Sequence, residues 1–339
     1  MNATPTAMRP AATASSTAVE THDLRKSFDV AGKPVDAVRG VDLEVRAGEV
    51  FGFLGPNGAG KTTTLRMLTT LLAIDSGHAL VAGLDVARDP AAVRRRIGYV
   101  SQLGGADRPA TGRENLLLQA ELYGMSKAAG SARADELTEV FELGAFIDRR
   151  VLTYSGGQRR RLEVALGIIH RPEILFLDEP TTGLDPQNRA NLWEQLRELR
   201  TGGTTIFLTT HYLEEADALS DRLVIIDSGR VVAEGTPREL KQQIAGETVV
   251  LKPKAGAGSP DALLGELARE PYVRDARVDG ESLRLAVSDG TESLPEIFEL
   301  LRTRGVPLET VSLSEPSLDD VFLRKTGRSL RDAGEAVVA

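Results

Sequence analysis

Apolar and polar positions alternate in two periods along the chain, and the switches between them divide it into elements. Residues 21–28 and 37–45 alternate apolar with polar and carry β-branched side chains, which predicts two antiparallel strands. Residues 50–54, 97–100, 174–177, 205–208 and 223–227 are short, nearly continuous apolar runs, the pattern of strands buried on both faces of a parallel sheet. Between them the period becomes helical, at 62–72 and then through 113–150, where Leu116, Leu117, Ala120 and Leu122, followed by Leu137, Val140 and Phe141, recur at helical spacing. Strand and helix in alternation imply an α/β fold with a largely parallel core sheet, an antiparallel β subdomain before it and a helical insertion at about 103–165.

Beyond about residue 246 the order changes to strand (248–251), helix (261–269), two strands within 273–287, helix (293–302) and strand (307–313). This βαββαβ order predicts a small α+β, ferredoxin-like domain over 246–327. A closing helix at 317–325 places Leu318, Val321 and Phe322 on one face, either to cap that small core or to make a regulatory contact with the ATPase domain or a membrane partner. The first domain is then 21–245. Residues 1–20, rich in Ala, Thr, Ser and Pro without periodicity, are expected to be a disordered tail rather than a signal peptide, and 328–339 a flexible one.

Composition narrows the class. With 339 residues, 41% of them hydrophobic and 27% charged, the chain supports about two folded domains, and no apolar run approaches the roughly 18 residues of a membrane span. Cysteine is absent, which excludes disulfides and thiol chemistry and fits the cytoplasm. A formal charge of −8 gives no general footprint for nucleic acid.

Three motifs carry the chemistry. Gly55-Pro56-Asn57-Gly58-Ala59-Gly60-Lys61-Thr62 fits G-x-x-x-x-G-K-[ST] and lies between a predicted strand and a predicted helix. In that context backbone N–H groups and the helix N-terminus cradle phosphate, Lys61 reaches the β- and γ-phosphates, and Thr62 can ligate magnesium. Tyr154-Ser155-Gly156-Gly157-Gln158 opens a helical run; such a turn alone is ordinarily a helix cap, but the phosphate loop upstream favours a second phosphate contact. The run 174–177 delivers Asp178 and Glu179 to a strand's carboxyl end, where ligands of parallel sheets collect.

The combination resembles the ATP-binding subunits of ABC transporters. The resemblance implies ATP and Mg²⁺ as cofactors, with Asp178 organising the metal through its water shell and Glu179 polarising the attacking water. Further matches are Gln102 as the sensor of metal and water, His211 as the switch histidine on the γ-phosphate, and Phe28 as the aromatic stacked on adenine, for which ordinary core packing is the alternative. The implied catalytic set is Glu179, His211, Lys61 and Gln102. The nucleotide contacts are Phe28, Gly55, Asn57, Gly58, Gly60, Lys61, Thr62, Thr63, Gln102, Ser155, Gly156, Gly157, Gln158, Asp178, Asp185 and His211, and the metal contacts Thr62, Gln102 and Asp178. One phosphate loop and one signature motif supply half of each paired site, so a dimer is expected, most simply a homodimer, with a hetero-pair as the alternative.

Arg159-Arg160-Arg161-Leu162 after the signature, and Glu315-Pro316-Ser317-Leu318-Asp319-Asp320-Val321-Phe322-Leu323 near the end, narrow the resemblance to daunorubicin-resistance-type (DrrA-like) drug exporters. Relatives there often carry Met where this chain has Gln158, the wider ABC choice. The expected function is ATP hydrolysis at the cytoplasmic face of the membrane, powering a separate integral membrane permease without nucleic acid. The alternative is a soluble ABC ATPase acting on nucleic acid or ribosomes, which a paired cassette, a coiled coil or a basic arm would favour. A phosphate-loop kinase is disfavoured by the signature motif, and a GTPase by the lack of Asn-Lys-x-Asp.

Overall fold

The computed structural model describes residues 17–243, 247–254, 260–314 and 316–330. Two compact units divide between Glu234 and Gly235. In chain order the first contains β1 (Thr17–Val30), β2 (Lys33–Arg46), β3 (Val50–Leu54), α1 (Lys61–Leu68), β4 (Ser76–Val81), β5 (Leu84–Asp85), α2 (Pro90–Arg96), β6 (Ile97–Val100), α3 (Gly112–Leu122) and α4 (Lys127–Val140). It continues with α5 (Gly156–Gly167), β7 (Ile174–Asp178), α6 (Pro186–Thr201), β8 (Thr205–Thr210), α7 (Leu213–Leu219), β9 (Arg222–Asp227) and β10 (Arg230–Gly235).

The central sheet has the order β10-β9-β3-β8-β7-β6, and the pairs β3–β8, β3–β9, β7–β8 and β6–β7 are parallel. Its strands run on in apolar residues because both faces are covered. Phe51, Phe53, Phe176 and Phe207 face one side, with Phe207 5.4–5.6 Å from the other three rings. Val50, Leu175, Leu177, Ile206 and Leu208 face the other, against the helices α3–α6. On the aromatic side, α1 is packed between this sheet and an antiparallel sheet of order β2-β1-β4-β5.

Parallel strands carry their C-terminal ends to one edge, and that edge positions the site. The phosphate loop follows β3, Gln102 follows β6, Asp178 ends β7, Thr209 and Thr210 end β8, and His211 follows it.

The second unit holds α8 (Pro237–Gln242), β11 (Glu247–Pro253), α9 (Pro260–Leu267), β12 (Val273–Asp279), β13 (Ser282–Val287), α10 (Gly290–Thr303), β14 (Leu308–Ser314) and α11 (Leu318–Thr326). Its sheet is antiparallel throughout, in the order β12-β13-β11-β14, which is the split-βαβ arrangement. Val249, Leu251, Leu283, Leu285 and Val287 turn one face of it to α9 and α10. Helix α11 buries Leu318, Val321 and Phe322, packs against α8, and pairs Asp320 with Arg277 on β12 at 3.0 Å.

Several boundaries differ from those expected. Residues 17–20, assigned to the tail, are strand: Val19 pairs with Val45 on one side and Val81 on the other, and its burial outweighs the Ala/Thr-rich composition. The rest of that tail lies outside the described residues. The helix expected over 62–72 starts one residue earlier and stops at Leu68, followed by Thr70 with φ +63°. The second unit begins at Gly235 rather than 246, because α8 belongs to it. At the other end Leu330, expected in the flexible tail, is buried and its N–H bonds Asp319 at 3.0 Å; residues 331–339 lie outside the described residues.

Candidate functional site

The phosphate loop is shaped by two close approaches. A Cβ on Gly55 would lie 2.3 Å from the Ile226 carbonyl oxygen, and one on Gly60, at φ +104°, 2.4 Å from that of Ala37. Only glycine fits both places, and Gly60 hands the chain to α1, whose first residue is Lys61. Asn57 and Gly58 lie exposed at the loop's tip, and Thr63 is half-buried on α1. Lys61 is only 4% exposed; its Nζ donates to the carbonyls of Gly55 (2.7 Å) and Pro56 (3.0 Å) and lies 3.2 Å from Glu179 Oε1. Burial pushes the Lys61 ammonium below the usual lysine range, and the Glu179 charge offsets part of that.

Glu179 is the hub. Its Oε2 accepts from Gln102 Nε2 at 2.9 Å and from Thr182 Oγ1 at 3.3 Å, and His211 Nδ1 lies 3.2 Å away, a charge-pairing distance at an angle poor for a hydrogen bond. Burial by itself would raise the Glu179 carboxyl; the neighbouring His211 imidazole and the Lys61 ammonium outweigh burial and hold it at about 2. Its backbone has φ +46°, an uncommon conformation that costs on the order of 1 kcal/mol. That conformation is held by its N–H, which lies 3.1 Å from both the carbonyl and the hydroxyl oxygen of Thr209.

Asp178 adjoins this group from the preceding position. Its Oδ1 accepts from Thr209 Oγ1 (2.7 Å) and Thr62 Oγ1 (3.1 Å). A hydroxyl and a carboxylate side by side are hard oxygen donors suited to Mg²⁺, which takes few protein ligands when phosphates and water supply the rest. Among the described residues no group of three or more His, Cys, Asp or Glu could by itself hold a metal ion.

Six expected residues therefore meet in one place: Lys61, Thr62, Gln102, Asp178, Glu179 and His211. Others stand apart from that cluster. Ser155 caps α5: its Oγ accepts from Gln158 N at 3.2 Å while Gln158 Oε1 accepts from Ser155 N at 3.0 Å. Ser155 and Gly156 are exposed, with open space beside Gly156, whereas a Cβ on Gly157 would strike Asn188 at 2.4 Å. Asp185 caps α6 through Asn188 N (2.9 Å), which holds its carboxyl below the usual range. Phe28 is 38% exposed, so it is not a core residue, and Lys26 Nζ stands 5.6 Å from its ring. Its strand partner Val35 is two residues from Ala37, the neighbour of Gly60.

Two residues with a part in this geometry were not singled out from the sequence. Thr209 bridges Asp178 and Glu179 from β8; the run of apolar and β-branched residues hid it. Arg160 is 6% exposed and donates to three backbone carbonyls around the site. The available signal was its spacing, since Gly157, Arg160 and Val164 share the buried face of α5.

Fold and site together define a phosphate-loop ATPase with a signature helix. Residues 38–182 match the ABC transporter family model, and residues 235–326 match that of the ATP-binding protein DrrA1-3-like C-terminal domain. The chain is 45% identical over 325 residues to the daunorubicin/doxorubicin resistance ATP-binding protein DrrA of Streptomyces peucetius, covering 94% of this chain and 96% of that one. It is 42% identical over 316 residues to the Nod factor export ATP-binding protein I of Paraburkholderia xenovorans (strain LB400), covering 93% and 99%. Among solved structures, the ATP-binding cassette MJ0796, a dimer bound to ADP and Pi, aligns with a TM-score of 0.60 and 25% identity, over 64% of this chain and 98% of that one. The chain belongs to the ATP-binding subunits of ABC transporters, in the DrrA-like group, and it hydrolyses ATP to power transport.

Proposed function

We propose that this subunit drives a separate membrane permease that exports a drug, antibiotic or other hydrophobic compound. The observation that carries this reading is the end-to-end match to subunits named for anthracycline resistance and Nod factor export, accessory domain included. No helix among the described residues is long and apolar enough to cross a membrane, so the pathway belongs to another chain. Leu118 and Leu122 on α3, and Leu103 directly after Gln102, leave apolar side chains exposed, suited to receiving a short cytoplasmic helix of that permease.

In this reading Lys61, the loop N–H groups and Thr63 hold the phosphates, and Phe28 stacks on adenine. Thr62 and Asp178, with Gln102, hold Mg²⁺, which when bound neutralises phosphate charge. Glu179 takes a proton from the attacking water as its oxygen bonds to the γ-phosphorus and the bond to ADP breaks; His211 donates to the γ-phosphate. A carboxylate held at about 2 is a weak base. When phosphates draw Lys61 towards themselves, Glu179 loses a cationic neighbour and its proton affinity rises, so the base is strengthened by the substrate it serves. Ser155, Gly156, Gly157, Gln158 and Asp185 contact ATP held by a second copy, giving a homodimer with two shared sites at the cytoplasmic face.

The test is reconstitution with a candidate multispanning permease in vesicles. ATP-dependent efflux of an anthracycline, abolished by Glu179→Gln, is expected. ATPase activity indifferent to every candidate permease would sink the export reading while leaving the ATPase intact.

A further inference from the structure

The first residues of α5 are the signature motif, and one turn further in, the same helix buries a guanidinium among backbone carbonyls. Arg160 Nη1 donates to Ser101 O at 2.7 Å, Nη2 to Asp178 O at 3.1 Å, and Nε to Pro180 O at 2.7 Å. Ser101 directly precedes Gln102, and Asp178 and Pro180 directly flank Glu179. One rigid side chain therefore fixes the backbone on both sides of the hub carboxylate and the backbone leading into its amide partner.

The charge is balanced locally. Glu163 Oε2 lies 3.2 Å from Nη1, and Glu163 in turn packs on Gly104, where a Cβ would come within 2.0 Å of Oε1. Gly104 closes the turn that begins at Ser101, whose Oγ donates to the Gly104 carbonyl at 2.9 Å. Arg160 and Glu163, three residues apart on one helix, thus grip both ends of the Gln102 loop. A salt bridge for stability alone would need only the two charges; here the fork spends its other N–H groups on segments that carry site residues.

We propose that Arg160 is a positioning residue that ties the signature helix to the hydrolytic centre, holding Gln102 and Glu179 in register with each other. A shift of the Ser155–Gly157 end of α5 then reaches Glu179 of the same chain through a single side chain. In a dimer whose ATP molecules lie between subunits, this connects the signature contact with one nucleotide to the carboxylate acting on the other. The inference rests on the roles given above to Gln102 and Glu179.

Arg160→Met keeps an unbranched apolar stem and removes every donor, and Arg160→Lys restores one charged head without the fork. In the full chain Arg160→Met is expected to lower kcat about 100-fold, the cost of misplacing groups by about 1 Å, while ATP affinity stays within about threefold, and Arg160→Lys recovers part of the loss. A double-mutant cycle with Gln102→Ala supplies the readout that a purely structural role would not move: the combined loss should be much smaller than the product of the two single losses. Multiplying losses, turnover within about twofold of the parent, or affinity falling in step with kcat would each overturn the proposal. So would failure of both Arg160 variants to fold, which would make it a folding residue. Glu179→Gln assayed alongside separates the two claims: if that variant still turns over, the role of Glu179 is wrong, and if it is inert, the Arg160 variants decide alone.

Discussion

Gln102 donates a 2.9 Å hydrogen bond to Glu179 Oε2, joining the loop after β6 to the residue that follows β7. Because β6 and β7 are adjacent and parallel, the two side chains start from neighbouring strand ends. Lys61 engages the opposite oxygen of the same carboxylate. Glu179 is thereby bracketed by the loop that would hold phosphate and by the segment leading into the helical insertion.

The first prediction separates binding from hydrolysis. Lys61→Ala removes a buried cation beside the phosphates, a loss of roughly 1.5–3 kcal/mol or about 10–150-fold in ATP affinity. Glu179→Gln preserves volume but removes the base, so turnover should fall about 10²–10⁴-fold with binding retained. Fluorescent-nucleotide titration and phosphate release check both. Light scattering on Glu179→Gln should show a dimer with ATP and not with ADP; near-parental hydrolysis would overturn the role of Glu179.

How far the chain could be read in advance follows from which interactions are local. The strands that deliver Asp178 and Gln102 were legible because burial on both faces leaves unbroken apolar runs. The extra turn of strand at Thr17–Glu20 was not, since it exists through pairing with β2 and β4, which composition does not record. The second unit's start was signalled locally: Thr236 and Glu239 form a capping box with Pro237 at the first helical position, yet nothing in the sequence says that α8 packs with α11. Arg160 was masked by its two arginine neighbours, which are partly exposed, and only the buried carbonyls distinguish it.

Acid should expose the site's electrostatics. The Glu179 carboxyl is held at about 2, below its ordinary 4.5, so its contribution to stability is present above about pH 4.5 and is lost as pH falls towards 2. In urea-unfolding series, the stability of the parent relative to Glu179→Gln should therefore decline between pH 5 and about pH 2–3. A pH-independent difference would mean that the ion pairs around Glu179 do not form in solution.

Phe28 offers a test free of folding effects because its ring is substantially exposed. Phe28→Ala should leave the melting temperature within a degree or two, as surface changes usually do. Loss of base stacking, about 1–3 kcal/mol, should weaken ATP binding by about 5–150-fold. Phe28→Trp should retain affinity. Unchanged ATP affinity in Phe28→Ala would remove Phe28 from the nucleotide site.

The last prediction concerns the division at Gly235. Every residue assigned to phosphate chemistry precedes it, and the second unit has its own core around Val249, Leu285 and Ile297. A chain ending at Glu234 should therefore bind ATP with near-parental affinity. A chain ending at Gln242 should behave worse, although it is longer, because it retains α8 without α11 and exposes Leu240, which is fully buried in the whole protein. Exposing one leucine costs about 1.5–3 kcal/mol if it was held in the core, and here it would chiefly promote association of the truncated chains. Size-exclusion chromatography of the two truncations with nucleotide titration gives the answer. Loss of ATP binding in the chain ending at Glu234 would show that the second unit completes the site, and equal behaviour of the two would place the functional boundary beyond α8.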